Sequence, residues 1–352
     1  MIKKHINKIA LFLFSFFVLI QFATAQVVSP FNKLAVEDTS DNYSFIVSGH
    51  FHGASSNQST FPASTIIAGV DTLNSLHPSF LMSLGDMFLD VNQTYITNYQ
   101  KCLFNKLNMP LFNAVGNHDL SNGNMYEKVY GRTYYSFVFH SNLVVALNTE
   151  MNDGSLKGEQ LAFFINAIKQ AHSDSIKRVF IFSHRPIWSE NDLAYESLFK
   201  GNSRSEFGSN NYEEEIKPLL MEFSKTKSIY WMSGSMANGP VSFFYHNEPE
   251  SGITFMQTAI RDLPRDAVLL VNVIDGKISF KGVSLTGQDL QTVESYDLNF
   301  WKKNISVEEP FNYRLIPLYA KRMIMHYYFW IGFVFCCIVL IFLAFVRKRI
   351  KQ

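Results

Sequence analysis

Cysteine is scarce in this chain: three among 352 residues, at Cys102, Cys336 and Cys337. The last two lie in an apolar run near the C-terminus, so Cys102 has no partner in the remainder. A disulfide framework is thereby excluded, and a body of about 300 residues must rely on its own apolar core. Long apolar runs are equally few, and both lie at the ends. Ile9 to Phe22 follows Lys3, Lys4 and Lys8 and leads into Ala23-Thr24-Ala25. That order reads as a secretory signal peptide over residues 1–25, with an uncleaved anchor helix as the alternative. The run is short for a bilayer span, which favours cleavage.

The second run, Tyr327 to Val346, holds twenty residues without a charge. It is long enough to cross a bilayer. Tyr327, Tyr328 and Trp330 form an aromatic belt at its start, and Arg347, Lys348, Arg349 and Lys351 follow it. Basic residues mark the cytoplasmic side, so residues 347–352 read as a cytoplasmic tail. The expectation is an exported, single-pass membrane protein with its N-terminal body outside the cytoplasm.

An excess of positive charge is missing as well. Without residues 1–25 and 327–352, which hold seven basic residues and no acid, 24 basic face 30 acidic residues, a formal charge of −6. Such a body has no electrostatic footprint for nucleic acid. Internal repeats and low-complexity blocks are absent. Asn42, Asn57, Asn92 and Asn304 each open a glycosylation acceptor triplet.

What is present is an alternation of strand-like and helix-like runs. Tyr43 to Val47 is followed by a periodic helix from near Pro62, and Phe80 to Leu84 by another from about Val91 to Leu107. Then come Pro110 to Val115, a β pair (Tyr134 to Phe139, Leu143 to Leu147), a helix from Gly158 to Ala171 and a strand at Val179 to Phe182. A helix from Glu213 to Phe223 precedes the strand Ile229 to Met232. This order predicts an α/β domain with much of its sheet covered on both faces. Val241 to Tyr245, Ile253 to Thr258, Ala267 to Ile274 and Lys277 to Val283 follow as strands without helices, the last two joined by an Asp275-Gly276 turn. The expected domain spans 26–287, with 288–326 a juxtamembrane connector. Glu190 to Asn211, rich in Ser, Asn and Gly, reads as a solvated loop rather than a lid.

Each main strand of the α/β half ends in polar residues. The first ends in Ser48-Gly49-His50-Phe51-His52, the second in Gly85-Asp86, and the fourth in Ser183-His184. The third ends in Gly116-Asn117-His118-Asp119. Taken alone, that quartet is also compatible with a capped turn. Strand ends of one sheet converge, so His50, His52, Asp86, Asn117, His118 and His184 are expected in one pocket. Imidazoles with a carboxylate and an amide oxygen suit divalent Mn, Zn or Fe.

These residues resemble the calcineurin-like metallophosphoesterases. Their pattern runs Asp-x-His, Gly-Asp-x-x-(x)-Asp, Gly-Asn-His-Asp/Glu, a lone His after a strand, then Gly-His-x-His. The resemblance covers roughly residues 43–286 and implies a four-layer α-β-β-α sandwich. It further implies hydrolysis of a phosphomonoester or phosphodiester, a small molecule or a lipid, by a metal-activated hydroxide. Asp86 would bridge one or two divalent ions, with His50, His52, Asn117 and His184 as further ligands. His118 would sit beside the scissile phosphate, its tautomer fixed by Asp119. Two positions depart from the pattern. His50 stands where the family has Asp, and Gly234-Ser235-Met236-Ala237 lacks both histidines of the last motif, with Asn238 the nearest other donor. Leu89, where purple acid phosphatases carry Tyr, argues against a tyrosinate-coloured iron site. The alternative function is a catalytically lapsed ectodomain that binds or scaffolds. The oligomeric state stays open.

Overall fold

Phe45 and Val47 of the first strand enter one apolar core, while Ile46 between them enters another. Successive side chains of a strand point to opposite faces, so a strand apolar at every position must be covered twice. The computed structural model describes residues 26–37, 40–190, 192–195, 198, 210–236, 239–304 and 316–350. The expected signal peptide, Ala237, Asn238 and most of the loop after Glu190 lie outside the described residues.

The strands are β1 (Tyr43–Ser48), β2 (Leu81–Ser83), β3 (Leu111–Asn113), β4 (Tyr135–Phe139), β5 (Asn142–Ala146), β6 (Arg178–Ser183), β7 (Ser228–Ser233), β8 (Phe243–Asn247), β9 (Ile253–Thr258), β10 (Ala267–Ile274) and β11 (Lys277–Ser284). They form a five-stranded sheet, β11-β10-β1-β2-β3, and a six-stranded sheet, β4-β5-β6-β7-β9-β8. The helices are α1 (Ser64–Ser75), α2 (Gln93–Cys102), α3 (Met125–Tyr130), α4 (Gly158–Gln170), α5 (Lys217–Ser224), α6 (Leu298–Asn304), α7 (Ile316–Met325) and α8 (Tyr327–Ile350). Phe45, Met82, Phe112, Phe180, Phe182 and Met232 fill the space between the sheets. Ile46 and Leu81 pack outward with Ile66, Leu73 and Tyr99 of α1 and α2. Val145, Ile181 and Trp231 pack outward with Phe164 and Leu220 of α4 and α5. Two sheets flanked by helices make a four-layer α-β-β-α sandwich, the architecture expected from the sequence.

Three local departures from the expected elements have physical causes. The helix predicted over 91–107 stops at Leu103, whose φ of −129° is not helical, and a single 3₁₀ turn follows at Phe104–Lys106. The helix predicted over 213–223 begins as a π turn, Tyr212–Ile216, ahead of Pro218 in the first turn of α5. Residues placed in a connector instead open with core side chains: Val293, Tyr296 and Trp301 are buried, and the Trp301 indole donates to the Phe243 carbonyl (2.9 Å). Two acceptor-triplet asparagines have structural work. Asn92 caps α2 by accepting from the Thr94 and Tyr95 amides, and Asn57 donates to the His52 carbonyl (2.6 Å).

Helix α8 contains one segment, Tyr327–Arg347, of mean hydropathy 3.0, with none of it buried against the rest of the chain. It is a candidate membrane span by length and composition.

Register brings the strand ends level. Ser48 pairs with Ser83 and Ser83 with Asn113 in the first sheet, while Ser183 pairs with Ser233 in the second. The loops that follow these positions therefore meet at one end of the sandwich.

Candidate metal centre

Asp86 is the focus of that meeting. Its Oδ2 lies 3.3 Å from His50 Nε2, 3.4 Å from His184 Nε2 and 3.6 Å from His52 Nε2. Its Oδ1 accepts the backbone N–H of His118 (3.1 Å). Two groups of potential ligands share it, His50-Asp86-His184 and His52-Asp86-His118, with donor atoms within 4.8 Å of one another in each. The first group is buried throughout, and in the second only His118 is partly open.

The turns that aim these side chains are strained and tied together. His50 (φ 57°) and Asp86 (φ 53°) both occupy the left-handed region. That conformation disfavours residues with a Cβ, and surrounding contacts must hold it. The His50 amide donates to the Gly85 carbonyl (3.0 Å) and the His52 amide to the Asp86 carbonyl (3.4 Å). At Gly85 (φ +86°) an added Cβ would come within 2.6 Å of His184 Nδ1 and 2.7 Å of the Ala114 carbonyl. One at Gly116 would collide with the Asp86 carboxylate. Glycine at both positions is what lets the loops close around one carboxylate.

Hydrogen bonds fix the tautomers. His184 Nδ1 donates to the Leu84 carbonyl (2.8 Å), and His118 Nδ1 to the Leu89 carbonyl (3.0 Å). A carbonyl only accepts, so each Nδ1 carries a proton and each Nε2 is left for a ligand. Burial works against a charged His184, yet Asp86 and Glu150 outweigh it and raise its pKa to about 9. Burial likewise opposes ionisation of Asp86, but the neighbouring imidazoles, His184 first and then His50 and His52, hold its carboxyl well below the usual range. His50 is pushed down by burial and then by the charge of Arg261. A proton and a metal on His184 Nε2 are alternatives, because a ligating imidazole nitrogen must be unprotonated.

The donor set fits a cation. His52 is 1% exposed, and among the described residues neither of its ring nitrogens has a partner within hydrogen-bond distance; His50 Nδ1 also lacks one. A buried polar atom left unpaired costs about 1–3 kcal/mol, which coordination at His52 Nε2 would recover. Three imidazoles on a shared carboxylate suit Zn, Mn or Fe.

The remaining sequence-selected residues sit as follows. Asn117 is exposed, flanked by Gly116 and His118, which both touch Asp86. Asp119 does not stand behind the His118 ring. Its carboxylate accepts from the amides of Gly116 (3.0 Å) and Phe88 (3.1 Å) and from Asn113 Nδ2 (3.0 Å). The tautomer role expected of Asp119 falls to the Leu89 carbonyl, and Asp119 clips the loop after β3 onto the loop after β2. Burial, then the charge of Asp86, pushes the Asp119 carboxyl up. Ser235 is buried, and its amide donates to the His184 carbonyl (2.7 Å).

Sequence reasoning passed over three contributors. Asn113 accepts the Gly85 amide (3.1 Å) while donating to Asp119 and to Tyr126 Oη (3.1 Å). Its signal was a polar residue inside a buried apolar run. Arg185 Nη2 and Glu150 Oε2 lie 2.8 Å apart, pinning the loop that carries His184. Arg261, from the segment after β9, had no motif to announce it.

No model of a known protein family matches the sequence, and no curated protein matches it. Among solved structures, the chain is similar to GAP50, the anchor in the inner membrane complex of Plasmodium. The TM-score is 0.53 at 11% identity, over 72% of this chain and 88% of that one. That likeness shows the fold. Looser overlaps, each at TM-score 0.30 and 11% identity, join it to two bacterial proteins. One is a conserved uncharacterized protein of Streptococcus pneumoniae described as a predicted phosphoesterase, over 69% of this chain and 90% of that one. The other is a cold-active protein-tyrosine phosphatase of a psychrophilic Shewanella species, over 71% and 80%.

Proposed function

We propose that this chain is a divergent calcineurin-like metallophosphoesterase, anchored by α8 and hydrolysing a phosphomonoester or phosphodiester outside the cytoplasm. The observation that carries the reading is the Asp86 carboxylate, buried and faced by three imidazoles at the converging strand ends. His50, His52, Asp86 and His184 would hold the cation, one or two ions of Mn, Zn or Fe, with Asn117 and His118 at the open side. When bound, such a cation draws charge from a phosphoryl oxygen and acidifies a nearby water.

The chain's own groups do the rest. Asp86 offsets cationic charge with one oxygen and is steadied through the other by the His118 amide. His118, half-buried with Nδ1 tied to Leu89, offers Nε2 to the phosphate, as a hydrogen bond or as a proton for the leaving oxygen. Asn113 and Asp119 keep that histidine's loop against Asp86. The alternative, a binding or scaffolding ectodomain, is favoured by Ser235 standing where the family pattern has a histidine.

The deciding assay uses the full chain in detergent micelles with p-nitrophenyl phosphate and bis-p-nitrophenyl phosphate and each added metal. Turnover that needs metal and disappears in Asp86→Ala and His184→Ala is the expected result. A folded, metal-loaded chain without turnover on either ester points to the binding module.

A further inference from the structure

The loops that carry the two departures from the family pattern, His50 and Ser235, are both tied to the segment that carries Arg261. The Ile260 amide donates to the Gly49 carbonyl (3.1 Å), which sets Arg261 beside the turn that carries His50. Arg261 Nη2 donates to the Met236 carbonyl (2.6 Å), next to Ser235, whose own amide is bonded to His184. Arg261 is 6% exposed, and among the described residues its Nε has no hydrogen-bond partner. An unpaired donor on a buried guanidinium is costly, and the fork geometry of that group matches an oxyanion.

We propose that Arg261 is an anion-binding residue of this centre, its guanidinium taking a phosphoryl oxygen on the side where His50 and Ser235 replace ligands of a second cation. The proposal rests on the phosphoesterase reading only for the choice of phosphate as the anion. A histidine at position 50 puts no acid beside the arginine. A carboxylate there would pair with the guanidinium and occupy its donors; a neutral imidazole leaves them open. Arg261 also keeps its charge at neutral pH: burial and then Arg265 lower its pKa, but only to about 10.

The test is isothermal titration of the full chain in detergent micelles with inorganic phosphate, with and without manganese. Arg261→Gln is expected to weaken phosphate binding about tenfold or more, the scale of one charge-assisted contact. His50→Asp, which leaves Arg261 in place but supplies a competing carboxylate, is expected to weaken phosphate binding by about the same factor in the titration without manganese. Undiminished phosphate affinity in a folded Arg261→Gln variant overturns the proposal. Undiminished affinity in His50→Asp does so if the first variant fails to fold, as does a wild-type chain that takes no phosphate under either condition. Manganese titration alone reports on the metal reading. A chain that binds phosphate through Arg261 but takes no manganese keeps this inference and loses that reading.

Discussion

The loops after β2, β3 and β6 and the loops after β1 and β7 are built alike, each turning polar where a buried strand stops. Their chemistry differs. The first set supplies Asp86, His118 and His184, held by the Asp119–Asn113 clip and the Glu150–Arg185 pair. The second set supplies His50, His52 and Ser235, and its neighbour is the cation Arg261. One side of the centre therefore carries an acid that attracts cations, while the other carries two imidazoles beside a fixed positive charge. The two sides are anchored by different hydrogen bonds, so one could change its charge without loosening the other.

The comparison can be broken most forcefully at Asp86, the atom group both sides share. Asp86→Ala is expected to lower metal affinity about a thousandfold, beyond the 10–100-fold typical of groups behind the ligands. Competition against a metal-sensitive dye measures it; affinity within a few-fold of wild type would mean that the cluster is not the binding site.

Next comes the anchor of the altered side. Asp266 is buried, accepts from the Thr65 hydroxyl (2.6 Å) and from the Arg261 amide (2.9 Å), and has its carboxyl pushed up to about 6 by burial. The folded chain thus holds a proton there at pH values where the unfolded carboxyl, at 3.8, has lost it. Its stabilising contribution is full below pH 3.8 and is lost as pH rises through about 6. Stability relative to Asp266→Asn should fall by about 3 kcal/mol across that window, read from denaturant unfolding at successive pH values. Parallel profiles for the two chains would remove Asp266 from the anchor.

On the other side, Asn113→Ala strands the Gly85 amide and one partner of Asp119, and should cost about 2 kcal/mol with the metal ligands untouched. A cost under about 0.5 kcal/mol, the ordinary size of a surface change, would show that the clip is dispensable. The smallest effect on folding belongs to His118→Gln. It should reduce turnover about a hundredfold, the low end for general acid–base catalysis, without changing folding stability by more than about 0.5 kcal/mol. Loss of stability with turnover intact would make His118 a structural residue.

Much of this arrangement was legible in the residues. Uninterrupted apolar runs such as Val179 to Phe182 announced strands covered on both faces, and the polar residues after them announced where a centre would form. What the sequence hid was supplied by groups that carry no type-specific signal. The Leu89 carbonyl orients His118, and any residue has a carbonyl. Arg261 arrives from a loop 77 residues beyond His184, brought in by the pairing of Ile260 with Gly49. The resemblance implies that Asp119 orients His118, but the turn after Gly116 swings its carboxylate toward the Phe88 amide. Trp301 looked like part of a tether because its partner, the Phe243 carbonyl, lies 58 residues away.

The central claim is that the shared Asp86 carboxylate holds a divalent cation. Elemental analysis of the full chain after incubation with manganese, zinc and iron and removal of excess tests it directly. The expected result is at least about one bound ion per wild-type chain and none in Asp86→Ala, coordination requiring the shared carboxylate. A wild-type chain free of all three metals, or an Asp86→Ala chain equally loaded, would contradict it.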